Sequence, residues 1–216
     1  MNNKKRYKIL LLFKKNNPNP KMELIFSSTF ELLISVILSA RTKDSQVNEA
    51  TRKLYSVANT PKKIINLGIK KIKYYIKNIG LFNVKSNYLI QSSILIENKY
   101  NGLVPRTRKK LMTLPGVGRK TANIILNVAF KKNTIAVDTH VFRVVNRINF
   151  VSGKNVSTIE KKLIRLIPLE FKYYAHSWFV LHGRYICLNR KPKCDICIIF
   201  KFCEFFKKND YLSFKN

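Results

Sequence analysis

Leu111-Met-Thr-Leu-Pro-Gly-Val-Gly-Arg-Lys-Thr-Ala122 is the stretch from which the fold of this chain is read. A helical segment beginning near Thr107 closes at Leu114, and a second runs from about Arg119 to Phe130. Between them Pro115-Gly116-Val117-Gly118 leaves room for only a tight turn. Glycine lets the backbone enter positive φ and lets a ligand approach it closely. The turn also delivers backbone N–H groups at a helix start, where anions bind. L-P-G-V-G therefore reads as a helix-hairpin-helix that grips a DNA phosphate, through Pro115, Gly116, Val117, Gly118 and Arg119. Such a grip positions a protein on DNA without reading bases. A plain turn between packed helices is the competing reading. The spacing of the two glycines, the basic pair Arg119-Lys120 and the charge of the whole chain weigh against it.

Outward from the hairpin, helical periodicity dominates. Phe30, Leu33, Ile34, Ile37 and Leu38 follow i, i+3, i+4, i+7, i+8, and Val141, Val144, Val145 and Ile148 mark another apolar face. Ser28-Thr-Phe-Glu31 and Ser157-Thr-Ile-Glu160 carry the S-x-x-E capping signature, the second ahead of a helix that Pro168 stops. No strand pairs stand out, so the fold class is all-α. Asn16-Asn-Pro-Asn-Pro20 and Lys131-Lys-Asn133 break the chain, and the basic tail after Cys203 is expected to fray.

The 216 residues allow one domain or two small ones. With 7 Gly and 7 Pro, collagen-like and low-complexity classes are excluded. The 42 Lys and Arg against 11 Asp and Glu give a net charge of +31, which draws polyanions, nucleic acid first and an anionic membrane second. The chain is also rich in Asn and Ile, so part of that charge reflects compositional bias. No apolar run approaches the roughly 20 residues of a membrane helix. The run Ile9 to Phe13 is too short for a signal peptide. A cytoplasmic, nucleoid-associated monomer without a membrane partner is expected, and its reducing compartment makes the four cysteines ligands rather than disulfide partners.

Lys120 follows the turn at a helix start, where the dipole opposes a cation. Together with Arg119 and partial burial, that field is expected to favour a neutral amine, a nucleophile suited to a sugar carbon. A purely phosphate-binding lysine fits the same position. Asp138, in Thr134-Ile-Ala-Val-Asp-Thr-His140, is placed to cap the Val141 helix, and a capping carboxylate is also held rigidly enough for catalysis. Cys187, Cys194, Cys197 and Cys203 are spaced C-x6-C-x2-C-x5-C. Four thiolates hold zinc or an iron–sulfur cluster, and the spacing leaves both open. The loop Leu188-Asn-Arg-Lys-Pro-Lys193 brings Arg190, Lys191 and Lys193 to a clamped phosphate contact. His140, His176, His182 and Trp178 read as packed residues.

These motifs together resemble the endonuclease III family of bacterial DNA glycosylase/abasic-site lyases. The likeness covers nearly the whole chain and rests on L-P-G-V-G-R-K-T-A-N at 114–123, I-A-V-D-T-H at 135–140, L-H-G-R-Y at 181–185, which contains Arg184, and the cysteine spacing. It implies a six-helix barrel domain at about 22–132 with the helix-hairpin-helix at about 107–130. It also implies a cluster domain built from 1–21 and 133–216, with double-stranded DNA carrying damaged pyrimidines or abasic sites crossing between the two. Lys120 would be the Schiff-base nucleophile, Asp138 the catalytic carboxylate, and the cysteines the ligands of a [4Fe-4S] cluster. The implied activity is removal of oxidised pyrimidines with β-elimination at the abasic site. A monofunctional glycosylase and a non-catalytic, metal-stabilised DNA-binding protein are the alternatives. Arg41 stands where the family usually has the glutamine that fills the space of the flipped base. Leu81 matches the position that wedges into the duplex.

Overall fold

The computed structural model describes residues 1–205. The tail beyond 205, including most of the stretch expected to fray, lies outside the described residues. Ten α-helices and one 3-10 turn make up the regular structure of the described residues, so the chain is all-α. It divides into two compact units, one formed by residues 22–131 and the other by 1–21 together with 132–216. No helix among the described residues is long and apolar enough to cross a membrane.

The continuous unit contains α2 (Thr29–Leu38), α3 (Asp44–Tyr55), α4 (Pro61–Tyr75), α5 (Phe82–Tyr100), α6 (Arg108–Leu111) and α7 (Arg119–Val128). The α2 helix is its axis. Every residue from Phe30 to Leu38 is buried, so the amphipathic face read from the sequence is in fact one side of a helix buried all round. Ser28 caps it by accepting from the Glu31 N–H at 3.1 Å. The Glu31 carboxylate reaches back one residue further than a standard box and accepts from Ser27 N–H at 2.6 Å. The α4 helix bends at Gly68, whose φ of 74° no helix tolerates.

The other unit packs α1 (Asn3–Asn16) with α8 (Thr139–Arg147), α9 (Val156–Leu166) and α10 (Leu169–Tyr185). Ile9, Leu10 and Phe13 of α1 enter the same core as Val141, Val144, Phe171 and Phe179. Trp178 is core, and its indole donates to Asn17 O at 2.8 Å. One expected cap moves. Asn155, not Ser157, caps α9, accepting from Thr158 N–H at 2.9 Å, and Ser157 lies within the helix. Glu160, 1% exposed, is the fifth residue of α9 and so lies beyond the third position that a capping box uses.

Candidate functional site

The hairpin hangs on α2 and α5. Thr107 caps α6, which spans only four residues before turns carry the chain to Gly118. Asn123 of α7 is buried and accepts from Arg108 Nε at 2.9 Å, tying the two arms together. Ser92 on α5 donates to Pro115 O at 2.9 Å and fixes the turn. Of the two glycines only Gly116 has positive φ, 79°, and a Cβ there would sit 2.8 Å from Tyr88 and 3.2 Å from Ile37. Gly118 is extended, with open space where a Cβ would be. The two therefore serve different ends, Gly116 close packing and Gly118 open access. Gly118 is the N-cap of α7 and, having no side chain, forms no side-chain cap. Val117 is buried and Arg119 is exposed. Lys120 is exposed as well, so the partial burial expected of it is absent.

Arg41 and Leu81 occupy neighbouring loops of the same unit. A Cβ on Gly80 would lie 3.4 Å from Arg41 O. Both residues are exposed and both hold left-handed φ, 54° and 61°. For residues with a Cβ that conformation is uncommon and needs surrounding structure to hold it. Leu81 is 59% exposed, so it is not the core leucine that its residue type suggests. The support comes from a residue the sequence reading missed. Lys85 is 3% exposed, and its ammonium donates to Leu38 O at 2.8 Å, Ala40 O at 2.6 Å and Thr42 Oγ1 at 3.1 Å. Burial pulls its pKa down to about 8.

In the discontinuous unit, Asp138 caps α8, its carboxylate accepting from Val141 N–H at 2.8 Å. The approach to it is held by His176, whose Nδ1–H donates to Ala136 O at 2.9 Å. His140 is two residues along, and burial, with Arg143 and Arg184 nearby, outweighs Asp138 and lowers its pKa. Gly183 lets α10 approach α8, since a Cβ there would meet His140 Cβ at 2.9 Å.

The four cysteines line one pocket together with Arg147, His182, Pro192 and Phe200. None is in a disulfide. Burial raises the Cys194 and Cys197 thiols to about 11 and about 12, so without a cation they stay protonated. His182 approaches Cys197 Sγ to 3.8 Å through Nε2, and burial lowers its pKa to about 4, leaving a neutral ring. Among the described residues no three His, Cys, Asp or Glu side chains gather closely enough to grip one metal ion. The loop between Cys187 and Cys194 is clamped from α8. Arg147 donates to Leu188 O at 2.6 Å and Asn189 O at 3.0 Å, and Arg143 to Cys187 O, where the loop begins, at 3.2 Å. Arg190, Lys191 and Lys193 are exposed on that loop. Both clamping arginines went unread in the sequence, although they stand one helical turn apart, at i and i+4, among the valines of α8.

Comparison with known proteins gives a consistent relationship. Residues 34–169 match the HhH-GPD superfamily base excision DNA repair protein model. Endonuclease III of Buchnera aphidicola subsp. Acyrthosiphon pisum is 61% identical over 208 residues, covering 96% of this chain and 99% of that protein. Endonuclease III of Escherichia coli (strain K12) is 53% identical over 210 residues, covering 97% and 100%. Among solved structures, a trapped endonuclease III–DNA covalent intermediate, an estranged-adenine complex, superposes with a TM-score of 0.90 at 38% identity, over 96% of this chain and 98% of that one. A thermostable thymine-DNA glycosylase superposes with a TM-score of 0.85 at 28% identity, over 95% and 98%. Near-complete coverage at these identities, together with the match to the superfamily model, shows that the chain belongs to the endonuclease III family of DNA glycosylase/abasic-site lyases within the HhH-GPD superfamily of base excision repair proteins.

Proposed function

We propose that this enzyme removes oxidised pyrimidines from duplex DNA through a Lys120 imine and then cuts the 3′ side of the abasic site. The observation that carries the reading is the lysine itself, exposed at the second position of the helix that follows the hairpin turn. A relative captured covalently on DNA supports the same route here. The target nucleotide leaves the stack, because its sugar carbon is shielded within the duplex. The Lys120 amine attacks C1′, the C1′–N bond breaks, and the base departs with the electron pair and a proton. The sugar ring then opens as the C1′–O4′ bond breaks and O4′ takes a proton, and the imine this leaves at C1′ acidifies C2′. Loss of that proton forms the C2′–C3′ double bond and expels the 3′ phosphate. Asp138, oriented by its cap hydrogen bond, supplies the carboxylate that stabilises positive charge on the sugar.

The hairpin residues Pro115 to Arg119 hold the phosphate backbone. Arg41 and Leu81 enter the stack around the lesion, and Arg184, Arg190, Lys191 and Lys193 add backbone contacts. Arg is a donor only, with five N–H groups, so Arg41 favours an acceptor-rich opposite base. The residues of the thiol pocket fit a [4Fe-4S] cluster. Their donor set is four thiols gathered around one pocket, which suits the all-cysteine ligation of such a cluster. Cys187, Cys194, Cys197 and Cys203 would hold it. When bound, the cluster would supply local rigidity to the basic loop, and base removal and strand cleavage run on the side chains.

The test is borohydride trapping on duplex DNA carrying one thymine glycol. Wild type is expected to form a covalent adduct and Lys120→Ala none. Base release without an adduct would turn the reading to a monofunctional glycosylase. Binding without either would turn it to a DNA-binding module.

A further inference from the structure

A buried ammonium is costly unless its hydrogen bonds are satisfied. Lys85 carries a second cost, since it lies in the first turn of α5, where the helix dipole opposes a cation. What offsets both is the far end of its side chain. The ammonium meets Leu38 O and Ala40 O, carbonyls at the C-terminal end of α2 that have no helical partner. There the dipole of α2 welcomes a cation. Thr42 Oγ1 completes the set. Ala40 and Thr42 flank Arg41, so the ammonium grips the chain on both sides of that residue. The backbone N–H of Lys85 donates to Leu81 O at 3.0 Å. One residue thus ties together the two exposed left-handed tips, Arg41 and Leu81.

We infer that Lys85 is a positioning residue for lesion recognition, holding Arg41 and Leu81 in the geometry that enters the base stack. This rests on the reading of Arg41 and Leu81 as stack-entering residues. Lys85 touches neither substrate nor the reacting atoms. A helix cap with no further role would affect only stability. A positioning residue affects stack opening, and does so through Arg41.

The experiment is a double-mutant cycle on the full chain, in single-turnover base release from a thymine glycol duplex. Fluorescence of 2-aminopurine opposite the lesion reports stack opening, and circular dichroism reports the fold. Lys85→Met keeps the stem and removes the charge. It is expected to slow base release by about tenfold or more, as for loss of hydrogen bonds to a charged group, and to reduce the fluorescence rise. Binding to undamaged duplex should stay within about twofold, because the hairpin grip is untouched. Arg41→Ala should give a similar loss, and the double variant should be little slower than the slower single variant, the mark of residues acting as one unit. If Lys85→Met does not fold, Thr42→Val carries the test, with a few-fold loss that is likewise not multiplied by Arg41→Ala. Wild-type stack opening and release in the position-85 or position-42 variant, or losses that multiply with that of Arg41→Ala, would overturn the inference alone. Wild-type release by Arg41→Ala would overturn the reading of Arg41 and the inference with it.

Discussion

Single residues in this protein divide sharply into those that shape the backbone and those that clear space for a ligand. Gly116→Ala forces a Cβ against Tyr88 at positive φ, so it should destabilise the fold by about 1–3 kcal/mol in thermal or denaturant unfolding. Gly118→Ala meets nothing and keeps an allowed backbone, so it should cost less than about 1 kcal/mol while weakening duplex binding. Lys85 makes a further statement about stability. Its folded pKa of about 8 lies below the 10.5 of an ordinary lysine, so the unfolded chain binds more protons between these two values. Stability therefore rises with pH across that window. Read as the difference from Lys85→Met, which cancels the general relief of lysine repulsion, wild type should gain relative stability from pH 7 to pH 10. The glycine turn and the Asp138 cap were legible in the sequence because local spacing defines them. Lys85 was not. Among the polar residues of Asn83-Val-Lys-Ser-Asn87 it looks solvated, and its three acceptors come from a segment more than 40 residues earlier. The left-handed backbone at Arg41 and Leu81 is equally invisible, because neither residue type announces it.

Among the elements, α8 does the most with the fewest residues. Asp138 caps its start, and Arg143 and Arg147 further along hold the loop that carries Arg190, Lys191 and Lys193, through Cys187 O and Leu188 O. Arg147→Ala removes both of its carbonyl contacts on that loop, so duplex affinity should fall about tenfold with helical content unchanged, measured by anisotropy and circular dichroism. Cys194→Ser should lower iron content and duplex affinity together, and unchanged values of both would count against a cluster. Helix existence was read well and helix ends less well. Asn155 and Ser157 are both competent caps two residues apart, and the core decides between them by burying Ile159 and Glu160. The α2 helix was read as one apolar face from the spacing of Phe30, Leu33, Ile34, Ile37 and Leu38, which leaves its polar residues Glu31 and Ser35 outside that face. Both are buried instead and satisfied, Glu31 by Ser27 and Ser35 by Tyr55.

For the whole molecule, the +31 charge mixes function with compositional bias, and salt separates the two. Each phosphate contact contributes about 0.9 to the slope of log affinity against log salt concentration. Replacing Arg190, Lys191 and Lys193 together by Ala should lower that slope by about 2 to 3, while Lys4→Ala with Lys8→Ala on α1 should leave it nearly unchanged. The all-α class was legible because helical periodicity is a local signal. The pairing of residues 1–21 with 132–216 is not local, and in the sequence it came from family likeness alone. That pairing orders events during synthesis. The α1 helix leaves the ribosome first, yet Ile9, Leu10 and Phe13 have no partners until the helices beyond Lys132 emerge. At about 5–20 residues per second, that wait is on the order of ten seconds. Residues 22–131 are complete as a unit long before, so the hairpin half can fold while the thiol-bearing half is still being made. A nascent chain therefore passes through a stage with one finished half and an exposed apolar helix, and that stage is its moment of greatest exposure to proteases and aggregation.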